Sequence, residues 1–337
     1  MMSVESTPEP PLASPPRFYP VLTLPNEITG HIFHQYIPEY PAAPPPTGIG
    51  SPTLLSHVCR DWRALALSMC TLWRAIPLPI DWKSDWIPAW LERSGECRIS
   101  VQAPPGLVWE FVWVDVMRQQ KRLEVLNCSV SEFQLDDETS WPVLRHLELH
   151  IFADSPEDMA SSPRINAPLL SSAILWSFRY SSQLLPWHQL MFIALIGQDP
   201  HRCTQVIQQT PNLVYCELSL NSVSDVQVAQ PDISLPHLQQ LILTVYGAVS
   251  FVGAPSNNYL HSFVVPALRR LKVDEALLRI GPGSSRAGQI NAFVDKSGCK
   301  LDELCIIDRR QDGPSLEDRP LVRIYPARFA GSGSRNS

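Results

Sequence analysis

The chain is short of charge. Asp, Glu, Lys and Arg make up 18% of its 337 residues, and the net charge is −6. Nucleic acid and anionic lipid are bound by clustered Lys and Arg, so neither a nucleic-acid nor a membrane partner is expected. No apolar run approaches the roughly 18 residues a membrane span requires. The stretch from Met1 to Pro16 is built of Ser, Pro and Glu and holds no apolar leader core. The eight cysteines, at 59, 70, 97, 128, 203, 216, 299 and 305, form no Cys-x-x-Cys pair and fit no zinc spacing. Most lie inside apolar patterns, as small hydrophobes do. These features predict a reduced compartment, cytoplasmic or nuclear.

Catalytic motifs are missing too. The glycine-rich segment Gly281–Gly288 has no Gly-Lys-(Ser/Thr) and does not match Gly-x-Gly-x-x-Gly, so it reads as a loop. His31 and His34 have no Glu of a His-Glu-x-x-His motif, and no Gly-x-Ser-x-Gly elbow exists. The carboxylate clusters Asp136-Asp137-Glu138 and Asp154–Asp158 sit in polar stretches and read as solvated loops. No catalytic residue, metal ligand or cofactor is assigned, and the chain is not expected to be an enzyme.

Proline is abundant: 33 residues, close to twice the usual share of about 5%, with thirteen in the first 52 positions. Residues 1–19 cannot bury enough apolar surface to offset chain entropy and are expected to be a disordered tail. Pro25 and Asn26 then suit a helix start. Ile28, Ile32, Phe33 and Tyr36 fall on one helical face, and Pro38 stops it. The prolines at 41 and 44–46, with Gly48 and Gly50, predict an irregular loop. Leu55, Val58, Cys59, Trp62, Leu65 and Ala66 form a second stripe that predicts a second helix. Two such helices make too small a core to stand comfortably alone, so part of their apolar surface should meet a partner or the next domain.

Further along, Ile87, Trp90 and Leu91 followed by Gly95 predict a helix ended by a left-handed glycine, then a strand at Cys97–Val101. Ile290, Phe293 and Val294 followed by Gly298 and Cys299 repeat that phrase. Between them a unit Leu-x-x-Leu-x-Leu recurs. It opens at Leu123, Leu126, Cys128 and closes at Leu301, Leu304, Ile306, with intermediate units starting at 144, 170, 190, 213, 238 and 268. First positions are 20 to 33 residues apart, and Pro142, Pro168, Pro211, Pro236 and Pro266 each stand two residues before their leucine. Proline ends the incoming segment; the alternating apolar pair after it predicts a strand with one buried face. Stacking such strands in parallel makes a continuous core. A helix is expected over Cys203, Val206 and Ile207. Leu321–Tyr325 can add one short strand within a C-terminal tail, 311–337.

Leu24-Pro25-x-Glu27-Ile28, Ile32-Phe33, Val58-Cys59-Arg60-x-Trp62-Arg63-x-Leu65-Ala66 and Leu72-Trp73 resemble the F-box in content and order. The loop from Glu39 to Ser51 is longer and richer in proline than the usual F-box connection. The leucine units resemble an irregular leucine-rich-repeat array of the kind behind fungal F-boxes, lacking the Asn or Cys that normally follows the strand in most copies. The fold class expected is α/β: a small all-helical F-box at 20–80, then a leucine-rich-repeat-like α/β solenoid with a parallel sheet at 81–310.

The resemblance implies a substrate-recognition subunit of an SCF-type cullin-RING ubiquitin ligase. Its F-box would dock a Skp-family adaptor and through it a cullin, while the repeats hold an unidentified target protein. The adaptor-binding residues implied are Leu24, Pro25, Ile28, Ile32, Phe33, Val58, Cys59, Trp62, Leu65, Leu72 and Trp73, with Pro25 and Trp62 the favoured contacts. Residues between the leucines, such as Arg145, His146, Glu148, Tyr215, Gln239, Gln240, Arg269 and Arg270, are expected to face outward and choose the target. A scaffold acting outside a ligase is the second reading, and an enzyme hidden in the array the third.

Overall fold

The structure is a computed structural model that describes residues 23–78, 85–103, 115–130, 140–151, 165–176, 184–221, 232–246, 259–278 and 285–307. The expected tails at 1–19 and 311–337, the strand at Leu321–Tyr325, the carboxylate clusters at 136–138 and 154–158 and residues 281–284 of the glycine-rich segment lie outside these residues; the second half of that segment is not loop, because Ser285 caps a helix that starts at Arg286.

Helix α1 (Asn26–Tyr36) begins where Pro25 turns the chain. The Pro25 carbonyl accepts from the amides of Ile28 and Thr29 and from the Thr29 hydroxyl. The helix ends at Ile37, whose extended backbone is the conformation that the following Pro38 favours. Thr29, Gly30 and Phe33 are buried. A Cβ on Gly30 would come within 3.1 Å of the Met69 Cε, so glycine lets Met69 approach the helix backbone. Phe33 meets Trp62 edge to face at 4.9 Å.

The second helix is not continuous. The stripe from Leu55 to Ala66 is split into α2 (Pro52–Leu55) and α3 (Arg60–Ser68). Local hydrogen bonds of short polar side chains win over helix propagation here. Ser51 Oγ accepts from the Thr53 amide, Ser56 Oγ donates to the Thr53 carbonyl, and Arg63 Nε holds the freed Ser56 carbonyl at 2.7 Å. Cys59 then caps α3, its sulfur accepting from the Trp62 amide. Apolar spacing survived the break, which is why periodicity did not reveal it.

After a 3-10 turn at Cys70–Leu72, Trp73 is fully buried. Its indole donates to the Ala66 carbonyl at 2.8 Å, and its ring meets Trp90 at 5.4 Å. Strand β1 (Ala75–Pro77) follows immediately and is the first strand of a ten-stranded parallel sheet. The others are β2 (Ile99–Gln102), β3 (Leu123–Val130), β4 (His146–Ile151), β5 (Ser172–Trp176), β6 (Phe192–Gln198), β7 (Tyr215–Leu220), β9 (Gln240–Val245), β11 (Arg270–Asp274) and β12 (Glu303–Ile307). They lie side by side in chain order. Strands β8 (Ile233–Ser234) and β10 (Phe263–Val264) form a separate parallel pair.

The register aligns the repeat unit with itself. Ile76, Val101, Leu126, Leu147, Ala173, Ile193, Cys216, Leu241, Leu271 and Leu304 form one column across the sheet. The third positions, from Cys128 to Ile306, form the next. Up to β11, no member of either column is more than 2% exposed. One hydrophobic cluster runs from Phe33 in α1 to Cys299 before β12, so the helices and the sheet share a single core.

The crossovers carry the expected helices. α4 (Ile87–Arg93) buries Ile87, Trp90 and Leu91, and Gly95 has φ 50°. α5 (Pro200–Ile207) is capped by Asp199, whose carboxylate accepts the His201 amide at 2.8 Å. α6 (Arg286–Ser297) is capped by Ser285 and ends at Gly298 with φ 64°, a left-handed residue as the sequence predicts. Cys128, Cys203, Cys216 and Cys299 are buried among apolar groups, and burial pushes each thiol up. Cys70 and Cys97 depart from that pattern: they are joined as a disulfide between the end of the helical segment and the turn before β2. Their separation of 27 residues matches no short motif, so only the fold brings them together.

Removing a side chain at the junction of helices and sheet should be expensive. Trp73→Ala is expected to cost about 3–5 kcal/mol of unfolding free energy, measured by denaturant titration. A loss below about 1 kcal/mol would show that the junction is not a packed core.

Candidate docking surfaces

The eleven residues assigned from the sequence sort into three groups by burial. Phe33, Leu72 and Trp73 are core. Cys59, Trp62 and Leu65 are half-buried, with Cys59 a helix cap and Trp62 leaning on Phe33. Leu24, Pro25, Ile28, Ile32 and Val58 are exposed.

The exposed group has a local cause. Ile28 and Ile32 are four apart on α1 and share one side of it, while Leu24 stands in the bend just before Pro25 opens the helix. Phe33, Gly30 and Thr29 take the other side into the core. Ile28 is 51% exposed and Val58, in the break between α2 and α3, is 55% exposed. Leu54 at the end of α2 is exposed as well. Single exposed aliphatics are ordinary, but an ordered stripe of them is the kind of surface that marks protein contact. His31 and His34 lie on this helix; the His34 ring is within 3.1 Å of the Thr71 hydroxyl. Among the described residues no cluster of His, Cys, Asp and Glu could hold a metal.

The second candidate is the face of the sheet opposite the leucine columns. Its chemistry changes along the array. Over β3 to β5 it is polar: Glu148 accepts from Asn127 at 2.8 Å, from Trp176 at 3.1 Å and pairs with His150 at 3.3 Å. The His150 ring stacks on Trp176 at 4.6 Å, and His146 Nδ1 is 3.0 Å from Ser172 Oγ. In the middle it is apolar, with Ile174, Ala194, Ile196, Tyr215 and Ile242 forming a buried cluster of their own, flanked by Phe192. Over β11 it turns basic at Arg270 and Lys272.

This corrects part of the expectation for target-choosing residues. Gln239, Arg269 and Arg270 are exposed, and Arg145, His146, Glu148 and Gln240 are half-buried. Tyr215 is buried; its hydroxyl donates to Glu217 at 3.0 Å. The period of two assigns it correctly to the face away from the leucines, but that face is not everywhere open to solvent.

The structure also uses residues that sequence reasoning passed over. Tyr40, in the proline-rich insert, donates to Glu124 at 2.9 Å, and the Arg74 guanidinium lies 3.9 Å over its ring. Gln102 on β2 donates to the Pro41 carbonyl and accepts from the Ala43 amide. Arg98 and Arg145 both reach Glu124 at 3.3 Å. The insert is therefore fastened across β2 and β3. An aromatic inside a proline-rich loop was the available signal.

Electrostatics at the polar end follow from burial. Burial lowers the His146 pKa below its ordinary 6.5, against the pull of Glu148. Burial pushes the Glu148 carboxyl up, but hydrogen bonds from His150 and Trp176 and the charge of both histidines outweigh it and hold it below 4.5. Comparison with protein-family models and with curated proteins finds no match to this chain.

Both shifts make the unfolded chain bind protons more readily, so stability falls on acidification. The His146 contribution is lost first, as pH drops below 6.5; that of Glu148 goes only as pH falls through its lowered value. Between about pH 7 and pH 5, His146→Gln should flatten the fall in melting temperature relative to the parent chain. Equal slopes would show that His146 takes up its proton as readily in the folded chain as in the unfolded one.

Proposed function

We propose that this chain is the substrate-recognition subunit of an SCF-type cullin-RING ubiquitin ligase. The helical segment is an F-box that docks a Skp-family adaptor, and the parallel sheet is a leucine-rich-repeat-like array that holds a target protein. The observation that carries the reading is the set of exposed aliphatics Leu24, Ile28, Ile32 and Val58, with Ile28 and Ile32 on one side of α1. It lies within a segment whose matched residues follow the F-box order and whose Phe33, Leu72 and Trp73 form the supporting core. An apolar stripe held rigidly by a buried ring is suited to a partner's groove.

The action would be positional. The chain places a target near a ubiquitin-charged enzyme carried elsewhere in the assembly and raises the effective concentration of the reacting groups. The compartment expected for this activity is the cytoplasm or nucleus. The described helices include none long and apolar enough to cross a membrane.

Exposed residues allow a cleaner test than the core positions. Ile28→Asp with Ile32→Asp should weaken adaptor binding at least about a hundredfold while shifting stability little, because the surface loses no packing. Binding is read by co-purification and calorimetry, folding by circular dichroism. Undiminished binding removes this surface as the dock. Adaptor binding without cullin recruitment would instead favour the scaffold reading.

A further inference from the structure

The leucine columns end abruptly. Leu304 and Ile306 hold the positions that are at most 2% exposed in every preceding strand, yet on β12 they are 45% and 38% exposed. β12 is also the last strand of the sheet, with β11 on one side and no strand among the described residues on the other. Its Glu303 amide donates to the Arg269 carbonyl next door, so the ladder's alternation points the amides of Leu304 and Ile306 away from β11. Among the described residues the array thus ends with outward-pointing backbone donors and half-exposed core side chains. Stacked-repeat folds close such an end with a cap, because an exposed core edge invites pairing with another chain.

We infer that this open edge is a strand-addition site taken by residues 321–326 of the same chain. The repeat arithmetic places them there. Leu321 follows Leu301 by 20 positions, the interval that separates Leu170 from Leu190. With that offset Ile324 takes the position of Leu304 in the register, and Leu321 that of Leu301. Residues 308–320 supply thirteen residues of connection, enough for the dozen or so a parallel crossover requires. Pro326 falls at the third position of the unit, where a ladder amide would otherwise point outward. Proline is tolerated on an edge strand and blocks growth beyond it. The segment therefore carries both the apolar groups that cover the end and the residue that stops a further strand.

Amide hydrogen exchange of the full chain tests this. At low protein concentration the Leu304 and Ile306 amides should exchange at least about tenfold more slowly than in an unstructured chain. In the full chain bearing Leu321→Asp and Ile324→Asp that protection should disappear, while strands β4 to β7 keep theirs. Free exchange of Leu304 and Ile306 in the parent chain would overturn the inference. So would unchanged protection in the variant. Protection that rises with protein concentration, together with a dimer in sedimentation, would give the edge to a second copy and overturn it as well.

Discussion

A parallel strand with one apolar face cannot bury that face alone, and the whole molecule is arranged around that constraint. Each unit must set its two apolar residues beside those of its neighbours, and the register keeps both columns aligned from β3 to β12, the shift between Ile196 and Gln198 of β6 falling past them. A slip by one residue would turn the apolar pair to the other face. The demand is for apolar character rather than for leucine: Ala173 and Cys216 fill the column as well as Leu147 does. The crossovers are free by comparison. The cost of closing a loop grows slowly with its length, so units 20 to 33 residues apart can share one sheet.

The helical segment obeys the same constraint. Three short helices bury little by themselves, and here they extend the sheet's core instead of making their own. Trp73 is the hinge of that arrangement: its indole is tied to the Ala66 carbonyl of α3, its ring rests on Trp90 of α4, and β1 begins two residues later. The insert clamp of Tyr40 on Glu124 and the disulfide of Cys70 with Cys97 add ties across the same joint. An exposed stripe on α1 is consequently held at a set angle to the sheet. For a protein proposed to act by position, that fixed angle matters more than the strength of either surface.

Strands β2 to β12 of the ten-stranded sheet and the ends of α4 and α6 were legible because their signals are local or repeated; β1, which falls within the segment expected to be all helical, was not. Gly95 and Gly298 are read from one residue each, and both have the positive φ their positions need. The eight leucine units reinforce one another, so even those with Ala or Cys at a leucine position could be placed. What failed was decided by contacts between distant residues or by competition within a few. The break at Ser56–Cys59 depends on which of several hydrogen bonds wins, and apolar spacing is silent on that. Cys70 meets Cys97, and Tyr40 meets Glu124 across 84 positions, only after the sheet exists.

Within the segment proposed to dock an adaptor, the residue identities were legible but not their sides. A single motif mixes residues that must be buried to keep the helices in place with residues that must be exposed to be touched. Ile32 and Phe33 are adjacent in sequence, yet one is exposed and the other has no exposed surface, because a helix turns 100° between them. The same distinction applies to the sheet. Period two separates the leucine face from the opposite face, and it placed Tyr215 and Glu148 correctly on the latter. It could not tell that Glu148 would be enclosed by Asn127, His150 and Trp176, whereas Arg270 would stand in solvent. If the sheet holds a target as proposed, the exposed part of that face, toward β11, meets it first, while the polar group at β3 to β5 is enclosed by its own neighbours.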